Sequence, residues 1–288
     1  MTKQPARPGR ADLHIHTIAS DGTASVEAIL DHVERQTDLD LIAITDHERI
    51  DAAVAGRTMA ADRGLRAEVM VGEEVTTLGG HLLALGIDRP IRPYRSLRAT
   101  IAAVHEAGGL AIPAHPLVPY PLCAQGWVLR RLLDDPDPAV RPDTIETFNP
   151  TTLGRPWHAR VTVFADEHRL AHFGNSDAHA LAAIGTAWTT FPGRSAADLR
   201  RAIAACTTEH GGRFHPTVGQ LGTFGEQLRK RGRDARDELR GRLLRDGTGR
   251  DHGYPGGRQR PPRFEPAAAQ SPAPRPAPVS DPDRTARS

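Results

Sequence analysis

The sequence contains few of the residues that several common kinds of site require. Its 288 residues include only two cysteines, Cys123 and Cys206, too few for a disulfide framework or a thiolate zinc site. Its only lysines are Lys3 and Lys230, and no glycine-rich loop is followed by Lys-Ser or Lys-Thr. We therefore expect neither a disulfide-stabilised domain nor a P-loop nucleotide site.

Long apolar runs and aromatic residues are also scarce. No run approaches the roughly 20 residues that cross a bilayer, and the basic N-terminus leads directly into a strand-like segment without the apolar stretch of a secretory signal. We therefore expect a cytoplasmic protein with no membrane contact and no obligate protein partner. Aromatic residues make up 5% of the chain, so the core must be mostly aliphatic, which suits strands that alternate with helices.

Strand-like and helical patterns alternate along most of the chain. Apolar runs typical of strands occur at residues 11–16, 41–45, 68–75, 81–85, 110–114, 144–148, 171–174 and 186–191. Apolar spacing of three and four predicts helices at residues 26–35, 52–63, 97–107, 155–168 and 196–206, with Asp51, Ser96 and Ser195 as N-caps and Gly64 and Gly108 just beyond helix ends. This alternation predicts an α/β fold of parallel βαβ units. The exception is the pair of strands around Leu78-Gly79-Gly80, which indicates a hairpin.

Composition divides the chain into four segments. We predict a disordered N-terminus at residues 1–10, one folded domain at residues 11–215, a charged helical extension at residues 216–246 and a disordered tail rich in Pro, Gly and Arg at residues 247–288. Residues 1–220 carry 22 basic and 26 acidic side chains, whereas residues 221–288 carry 15 basic and 9 acidic ones. This indicates a solvated tail, with binding of phosphate-bearing partners as the alternative.

Histidines and carboxylates collect at the ends of the predicted strands, where barrel enzymes place their sites. His14 and His16 lie two apart on the first strand, so their side chains point to the same side. The other ligand-capable residues at strand ends are Asp21, His47, Glu73 or Glu74, His81, His115, Glu146, Asn149, Asp177 and His179. Imidazoles and carboxylates without thiolates favour Zn, Mn or Fe, and there are more of them than one ion needs. The sequence therefore predicts a site for two or three divalent metal ions.

A resemblance to the polymerase and histidinol phosphatase (PHP) superfamily extends over about residues 11–210, through the segments DLHIHTIASDG, ITDH, GEEVTTLGGHLLALGI, GGLAIPAHP, ETFN and GNSDAHALAAIGTAWTTF. The third and last of these also resemble the CehA/McbA branch of PHP-type metallohydrolases. The resemblance implies a distorted seven-stranded β/α barrel, similar to a TIM barrel.

The resemblance also implies how the ions are shared among the ligands. His14, His16, Glu74 and Asp177 would hold one ion, Glu74 and His115 a second with Glu74 bridging, and Asp21, His47 and His179 a third. His81 would either complete the second site or contact the substrate. Glu74, rather than Glu73, matches the bridging residue of the family.

The activity implied by the resemblance is hydrolysis of a phosphate mono- or diester by metal-activated hydroxide. The substrate would be a small metabolite, a nucleotide or a short oligonucleotide. We expect Glu74, Asp177, His179, His81 and Arg155 to take part in catalysis, with Arg155 pairing with phosphate and His179 or His81 protonating the leaving group. A carbamate or carboxylic ester is the alternative substrate, and a non-catalytic metal-binding accessory module is the alternative of another class.

Several further residues have a plainer interpretation. Both lysines lie outside the predicted barrel, which excludes the common binuclear amidohydrolase site with its carboxylated lysine. Asp46 is interpreted as a partner that orients a ligand, and Glu146 and Asn149 as residues that line the mouth of the site. Four histidines are interpreted as packing or surface residues: His105, His158, His168 and His172.

Overall fold

The computed structural model describes residues 7–120, 122–151 and 154–214 of the chain. The predicted helical extension at residues 216–246 and the predicted tail at residues 247–288 lie outside the described residues. Most of the predicted N-terminal segment does so too, but residues 9 and 10 belong to the first strand rather than to a disordered terminus. In the described part of the chain, no helix combines the length and apolar character needed to span a membrane.

In this described part of the chain, seven strands form one mixed sheet of order β5-β4-β3-β2-β1-β6-β7. They are β1 (Gly9–Ile15), β2 (Leu41–Ile44), β3 (Glu68–Thr77), β4 (Gly80–Leu85), β5 (Leu110–Pro113), β6 (Ala187–Phe191) and β7 (Glu209–Gly212). Only the pairs β1–β2 and β2–β3 are parallel, and the other four pairs are antiparallel. The expectation of parallel βαβ units outside the predicted hairpin is therefore confirmed for β1, β2 and β3 but wrong for β5 and β6. The hairpin between β3 and β4 is confirmed, with Thr77 paired to Gly80.

Two of the predicted strands, at residues 144–148 and 171–174, form irregular extended segments. The backbone N–H groups of Asp143 and Glu146 donate to carbonyls of Ala111 and Pro113 at β5, and the N–H of Thr147 donates to Phe173 O. The Ala178 N–H then donates to His14 O at the end of β1. The predicted seven-stranded α/β architecture is thus confirmed as a curled half-barrel, and two segments outside the strand ladder connect β5 back toward β1.

Within the described residues, six α-helices accompany the sheet: α1 (Val26–Gln36), α2 (Asp51–Arg63), α3 (Leu97–Glu106), α4 (Gly126–Leu133), α5 (His158–Glu167) and α6 (Ala196–Ala204). Ser96 and Ser195 cap α3 and α6 as predicted, through the N–H groups of Ala99 and Asp198. Asp51 is the first residue of α2 rather than its N-cap. Helix α4 was not predicted, and α5 begins three residues later than expected, after one 3-10 turn at Arg155–Trp157.

The core lies on both faces of the sheet and is mostly aliphatic, as the composition predicts. Apolar side chains of β3, β4 and β5 pack against α3, α4 and α5, while others pack against α6 or against α1. Every residue of β2, β4 and β5 is buried. Because both faces are covered, the polar groups at the strand ends must find partners with one another or with a ligand.

Candidate metal centre

The predicted ligands meet at one end of the half-barrel. His14 lies near the end of β1 and His16 directly follows it, while Glu74 and His81 face each other from neighbouring strands β3 and β4. Two isolated backbone β-bridges bring further segments to the same edge of the sheet. One joins His47 to Glu74, and the other joins Ile15 to Ala178. His14, His16, Asp21, Glu74 and His81 are buried, each at most 6% exposed.

Glu74 occupies the middle of the cluster. Its Oε2 lies 3.3 Å from Nε2 of both His14 and His16 and 3.4 Å from Nδ1 of His47. Its Oε1 lies 2.8 Å from Nδ1 of His81 and 3.2 Å from Nε2 of His115. Each oxygen therefore faces a different set of imidazoles, which is the arrangement that a bridging carboxylate needs.

Two aspartates also lie close to imidazole nitrogens of the cluster. Asp177 Oδ1 lies 3.4 Å from Nε2 of His14 and 3.5 Å from Nε2 of His16. Asp21 Oδ1 lies 3.2 Å from Nε2 of His179, and its Oδ2 lies 3.7 Å from Nε2 of His47. Among the described residues there are three sets in which each residue offers one ligand atom and these atoms lie within 4.8 Å of one another. The sets are His14, His16 and Asp177; His47, Glu74 and His81; and His16, Asp21, His47 and His179.

These sets differ in detail from the grouping implied by the resemblance. His16 belongs to two of them, because its Nε2 faces Asp177 while its Nδ1 lies 3.5 Å from Asp21. His47 also belongs to two, and His81 accompanies Glu74. The structure thus brings all nine predicted ligands together, and leaves the division of His16 and His47 among the ions as a proposal.

Several buried nitrogens in the cluster are close to carboxylates without being hydrogen-bonded to them. Among the described residues, His14 Nε2, His16 Nε2 and His81 Nδ1 have no hydrogen-bond partner. Two neighbouring ligand atoms that each lie about 2.0–2.2 Å from a shared ion are separated by about 2.8–3.6 Å in octahedral or tetrahedral coordination. The distances between the carboxylate oxygens and the nitrogens of His14 and His16 fall within this range. The side chains present therefore fit a divalent metal ion.

Burial and mutual attraction control protonation in the cluster. Burial opposes protonation of His16, but Asp177 and Glu74 outweigh it and raise the pKa of His16 to about 10. Burial alone would raise the pKa of Glu74 and of Asp177, but the surrounding histidines hold both well below the usual range. The carboxylates are therefore ionised and their negative charge is balanced by protons on imidazoles, which a divalent cation would replace.

Glu146 and Asn149, which the sequence indicates only as residues that line the mouth, hold the candidate ligands in place. Glu146 Oε1 lies 3.1 Å from Nδ1 of His14, while Glu146 Oε2 accepts from the N–H of His115 at 2.8 Å. Asn149 Nδ2 donates to both Glu146 and Asp177. A carboxylate behind a metal-binding histidine fixes its tautomer and increases its basicity. Both residues belong to the ETFN segment, so the signal for this role was present, although the pattern alone indicates only residues that line the mouth.

Asp12 and Asp46 support the loops on either side of the cluster. Asp12 accepts from the N–H and hydroxyl of Ser176 and from the N–H of Gly185, which fixes the loop that carries Asp177. Burial raises the pKa of Asp12 to about 6 in spite of these bonds. Asp46 accepts from the N–H and hydroxyl of Thr17 and so holds the loop between His16 and Asp21 rather than an imidazole.

The remaining candidates lie apart from the cluster or at its margin. Arg155 is exposed, with its guanidinium carbon 5.5 Å from the ring of Phe214, so its role toward phosphate stays a prediction. Glu73 points away from Glu74 and accepts from the N–H of Ile91. His105 pairs with Asp143 at 3.0 Å. His158 lines a small cleft together with His115, Glu146 and Asn149, beside the cluster.

Several known proteins are similar in sequence to parts of this chain. A family model described as PHP-associated matches residues 155–208. An uncharacterized protein of Methanocaldococcus jannaschii is 33% identical over 121 residues, which cover 38% of this chain and 69% of that protein. The 5'-3' exoribonuclease Rnm of Salmonella typhimurium is 35% identical over 105 residues, 35% of this chain and 36% of the enzyme. The chain thus spans about a third of the length of that relative.

The fold is similar to that of a solved two-domain protein of Bacteroides vulgatus, which contains a predicted PHP-like metal-dependent phosphoesterase. The TM-score is 0.60 at 17% sequence identity, and the superposition covers 73% of this chain and 68% of that chain. At this identity the likeness concerns the fold alone.

Proposed function

We propose that this chain, which belongs to the PHP superfamily, is a metal-dependent phosphoesterase that hydrolyses a phosphate mono- or diester. The observation that carries the proposal is the Glu74-centred cluster, in which buried imidazole nitrogens lie 2.8–3.5 Å from carboxylate oxygens while three of them have no hydrogen-bond partner in the described part of the chain. Groups arranged in this way are typical of open catalytic metal sites.

The residues divide into ligands and supports. His14, His16, Asp21, His47, Glu74, His81, His115, Asp177 and His179 would hold two or three divalent ions, with Zn, Mn or Fe suited to these donors. Bound ions would supply Lewis-acid activation of water and neutralise charge on the phosphate oxygens. The candidate ligands are kept in orientation by Glu146, Asn149 and Asp12. Because they are already oriented, their side chains need to move little during the reaction.

Two side chains at the edge of the cluster are suited to proton transfer. His81 is buried and faces Glu74. His179 is half-buried and faces Asp21. Whichever of them is not committed to a metal ion would protonate the leaving alkoxide. Arg155 is proposed as a phosphate contact at the mouth, because a guanidinium pairs bidentately with phosphate oxygens.

The phosphoester substrate is favoured by the names of two similar proteins, an exoribonuclease and a PHP-like phosphoesterase. Placement in the CehA/McbA branch, with a carbamate or carboxylic ester as substrate, remains the alternative. A nucleotide, a phosphodiester, p-nitrophenyl phosphate and an aryl carbamate should therefore be compared as substrates of the full chain after its metal content has been measured.

The test of this proposal compares His14→Ala and Asp177→Ala with His105→Ala. We expect the first two to lose bound metal and at least about a hundredfold of phosphoesterase activity. His105→Ala is the matched control, since it also removes an imidazole paired with an aspartate but lies outside the cluster. Unchanged metal content and hydrolysis in His14→Ala and Asp177→Ala, or cleavage of the carbamate alone, would contradict the proposal.

A further inference from the structure

One of the two cysteines lies against a candidate metal ligand. Cys123 Sγ is 3.2 Å from Nδ1 of His115, and the residue is only 6% exposed. Nothing in the local sequence connects the two residues, and an ordinary buried thiol is the simplest interpretation of Cys123 from sequence alone. On the other side of the ring, His115 Nε2 lies 3.2 Å from Glu74 Oε1.

The loop after β5 is folded so that this contact is maintained. The N–H of Leu117 donates to Ala124 O, and the side-chain amide of Gln125 donates to the carbonyls of both Val118 and Cys123. The N–H of His81 donates to Leu122 O, which ties the loop to β4. The sulfur is therefore held by the same backbone contacts that join the loop to the candidate site.

In a neutral imidazole such as that of His115, one ring nitrogen carries the proton and donates it, while the other offers a lone pair. A nitrogen that binds a metal ion uses its lone pair, so when Nε2 is the ligand, Nδ1 must carry the proton and donate it. Without an ion, the other tautomer is available, in which Nε2–H donates to Glu74 and Nδ1 accepts. A thiol is both a weak donor and a weak acceptor, so Cys123 can satisfy either tautomer without changing its position.

We propose that Cys123 is a positioning residue for His115, whose sulfur accepts the Nδ1–H and leaves Nε2 directed at the ion shared with Glu74. The inference rests on the proposed metal site. It also distinguishes His115 from His14, whose Nδ1 faces the carboxylate of Glu146 at 3.1 Å. A carboxylate acceptor makes an imidazole a stronger metal ligand than a thiol does, so the ion at His115 is held more weakly than the ion at His14.

The experiment uses the full chain with Zn²⁺ alone as the probe. Zn²⁺ affinities of Cys123→Ala, Cys123→Ser and Cys206→Ala are measured by competition with a chromogenic chelator, after far-UV circular dichroism has compared their folds. Cys206 is the matched control, since it is a free, exposed cysteine whose sulfur donates to the Arg169 carbonyl instead of facing a histidine. A serine hydroxyl, like a thiol, both donates and accepts.

We expect Cys123→Ala to weaken the lowest-affinity Zn²⁺ site about tenfold, Cys123→Ser to restore it to within about threefold, and Cys206→Ala to leave it unchanged. Equal affinity in Cys123→Ala and the wild type, or an equal loss in Cys123→Ala and Cys123→Ser, would overturn the positioning role. His115→Ala keeps the two hypotheses separate: if it weakens Zn²⁺ binding while Cys123→Ala does not, only the role of Cys123 fails. If the wild type binds no Zn²⁺, both fail.

A second readout distinguishes an outer partner from a direct ligand. The Co²⁺-loaded wild type and Co²⁺-loaded Cys123→Ala should both lack a thiolate-to-cobalt charge-transfer band. Such a band would place Cys123 in direct contact with the metal ion and would overturn the proposal.

Discussion

The histidines of this chain differ in their suitability as metal ligands, because the ring nitrogen that faces away from the candidate ion has a different partner in each. His14 is backed by the carboxylate of Glu146, His115 by the thiol of Cys123, and His105 by a carbonyl and a carboxylate far from the cluster. The imidazole ring is the same in each case. Its capacity to bind a metal ion therefore depends on which nitrogen is left with a free lone pair and how strongly the other is engaged.

Glu146 provides the sharpest test at the scale of one residue. Its two oxygens face Nδ1 of His14 and accept from the N–H of His115, the amide of Asn149 and the amide of Asn175. Glu146→Gln keeps the shape but replaces one acceptor oxygen with a donor that faces other donors. We expect metal affinity to fall about 10- to 100-fold, as measured by titration with Zn²⁺ or Mn²⁺.

The control for this variant is Glu106→Gln, at the last residue of α3. It removes the same charge without touching the cluster, so its metal affinity should match the wild type. If Glu146→Gln bound metal as tightly as Glu106→Gln, the orienting role of Glu146 would be wrong.

At the scale of the elements, the turn between β3 and β4 joins the fold to the site. Gly80 has φ +119, and a Cβ built on it would lie 2.5 Å from Ala124 N. It also directly precedes His81. An alanine side chain here would strain the backbone and displace the loop that carries Cys123.

Gly80→Ala and Gly64→Ala therefore form a matched pair. Gly64 has φ +60, but a Cβ added to it would meet no atom within 4 Å, so its substitution should cost only the left-handed conformation, about 1 kcal/mol. Gly80→Ala should cost about 3 kcal/mol and should also weaken metal binding. Thermal unfolding and Zn²⁺ titration measure the two effects. Equal losses in both variants, or unchanged metal binding in Gly80→Ala, would contradict the link between turn and site.

Elements with a local apolar pattern could be predicted from the sequence, whereas an element without one could not. Helices α1, α3 and α6 have clear apolar spacing and caps, and the pattern predicts them within two residues at each end. Strand β7, with the sequence Glu-His-Gly-Gly, has no apolar pattern. It depends on pairing with β6, where Trp188 lies so close to Gly211 that a Cβ there would be 2.6 Å from the indole. Such a contact between distant segments leaves no local signal.

The candidate site was predictable only in part for a related reason. Ligand types and their positions at strand ends follow from local sequence, as with His14 and His16 on one side of β1. The segment at residues 144–148 has the pattern of a strand, but its backbone departs from the ladder where Glu146 turns toward His14 and His115. The contact between Cys123 and His115 likewise depends on a loop that closes on itself, which spacing alone does not reveal.

At the scale of the whole molecule, the cluster connects segments that are otherwise distant in the chain. The candidate ligands come from strands β1, β3 and β4 and from four loops, which follow β1, β2 and β5 and precede β6. Ions bound between them would therefore cross-link these segments. A ligand that binds the folded state alone stabilises it, by about 2.7 kcal/mol at a concentration one hundred times its Kd. For a domain of this size that is a rise in Tm of about 5–10 °C.

The size of this stabilisation should depend on pH in a definite direction. Without metal, the raised pKa of His16, about 10, means that it keeps a proton throughout the neutral range, because Asp177 and Glu74 outweigh its burial. That proton stabilises the folded state below the unfolded pKa of about 6.5, and its contribution is lost as the pH rises through about 10. A metal ion must displace the proton, so binding releases protons and becomes tighter as the pH rises.

We therefore expect the increase in Tm on adding Mn²⁺ or Zn²⁺ to be larger at pH 8 than at pH 6, and a chelator to reverse it at both. Calorimetric titrations in two buffers of different ionisation enthalpy should detect the release of at least about one proton per ion bound. His16→Ala should reduce both the stabilisation and its pH dependence without removing them, because the pKa values of His14 and His115 are also raised by the neighbouring carboxylates. His105→Ala should leave both at the wild-type size. A metal-induced rise in Tm that is the same at pH 6 and pH 8, with no proton release, would mean that the ions bind outside the cluster, since the charge balance around Glu74 requires a proton to leave before a cation can enter.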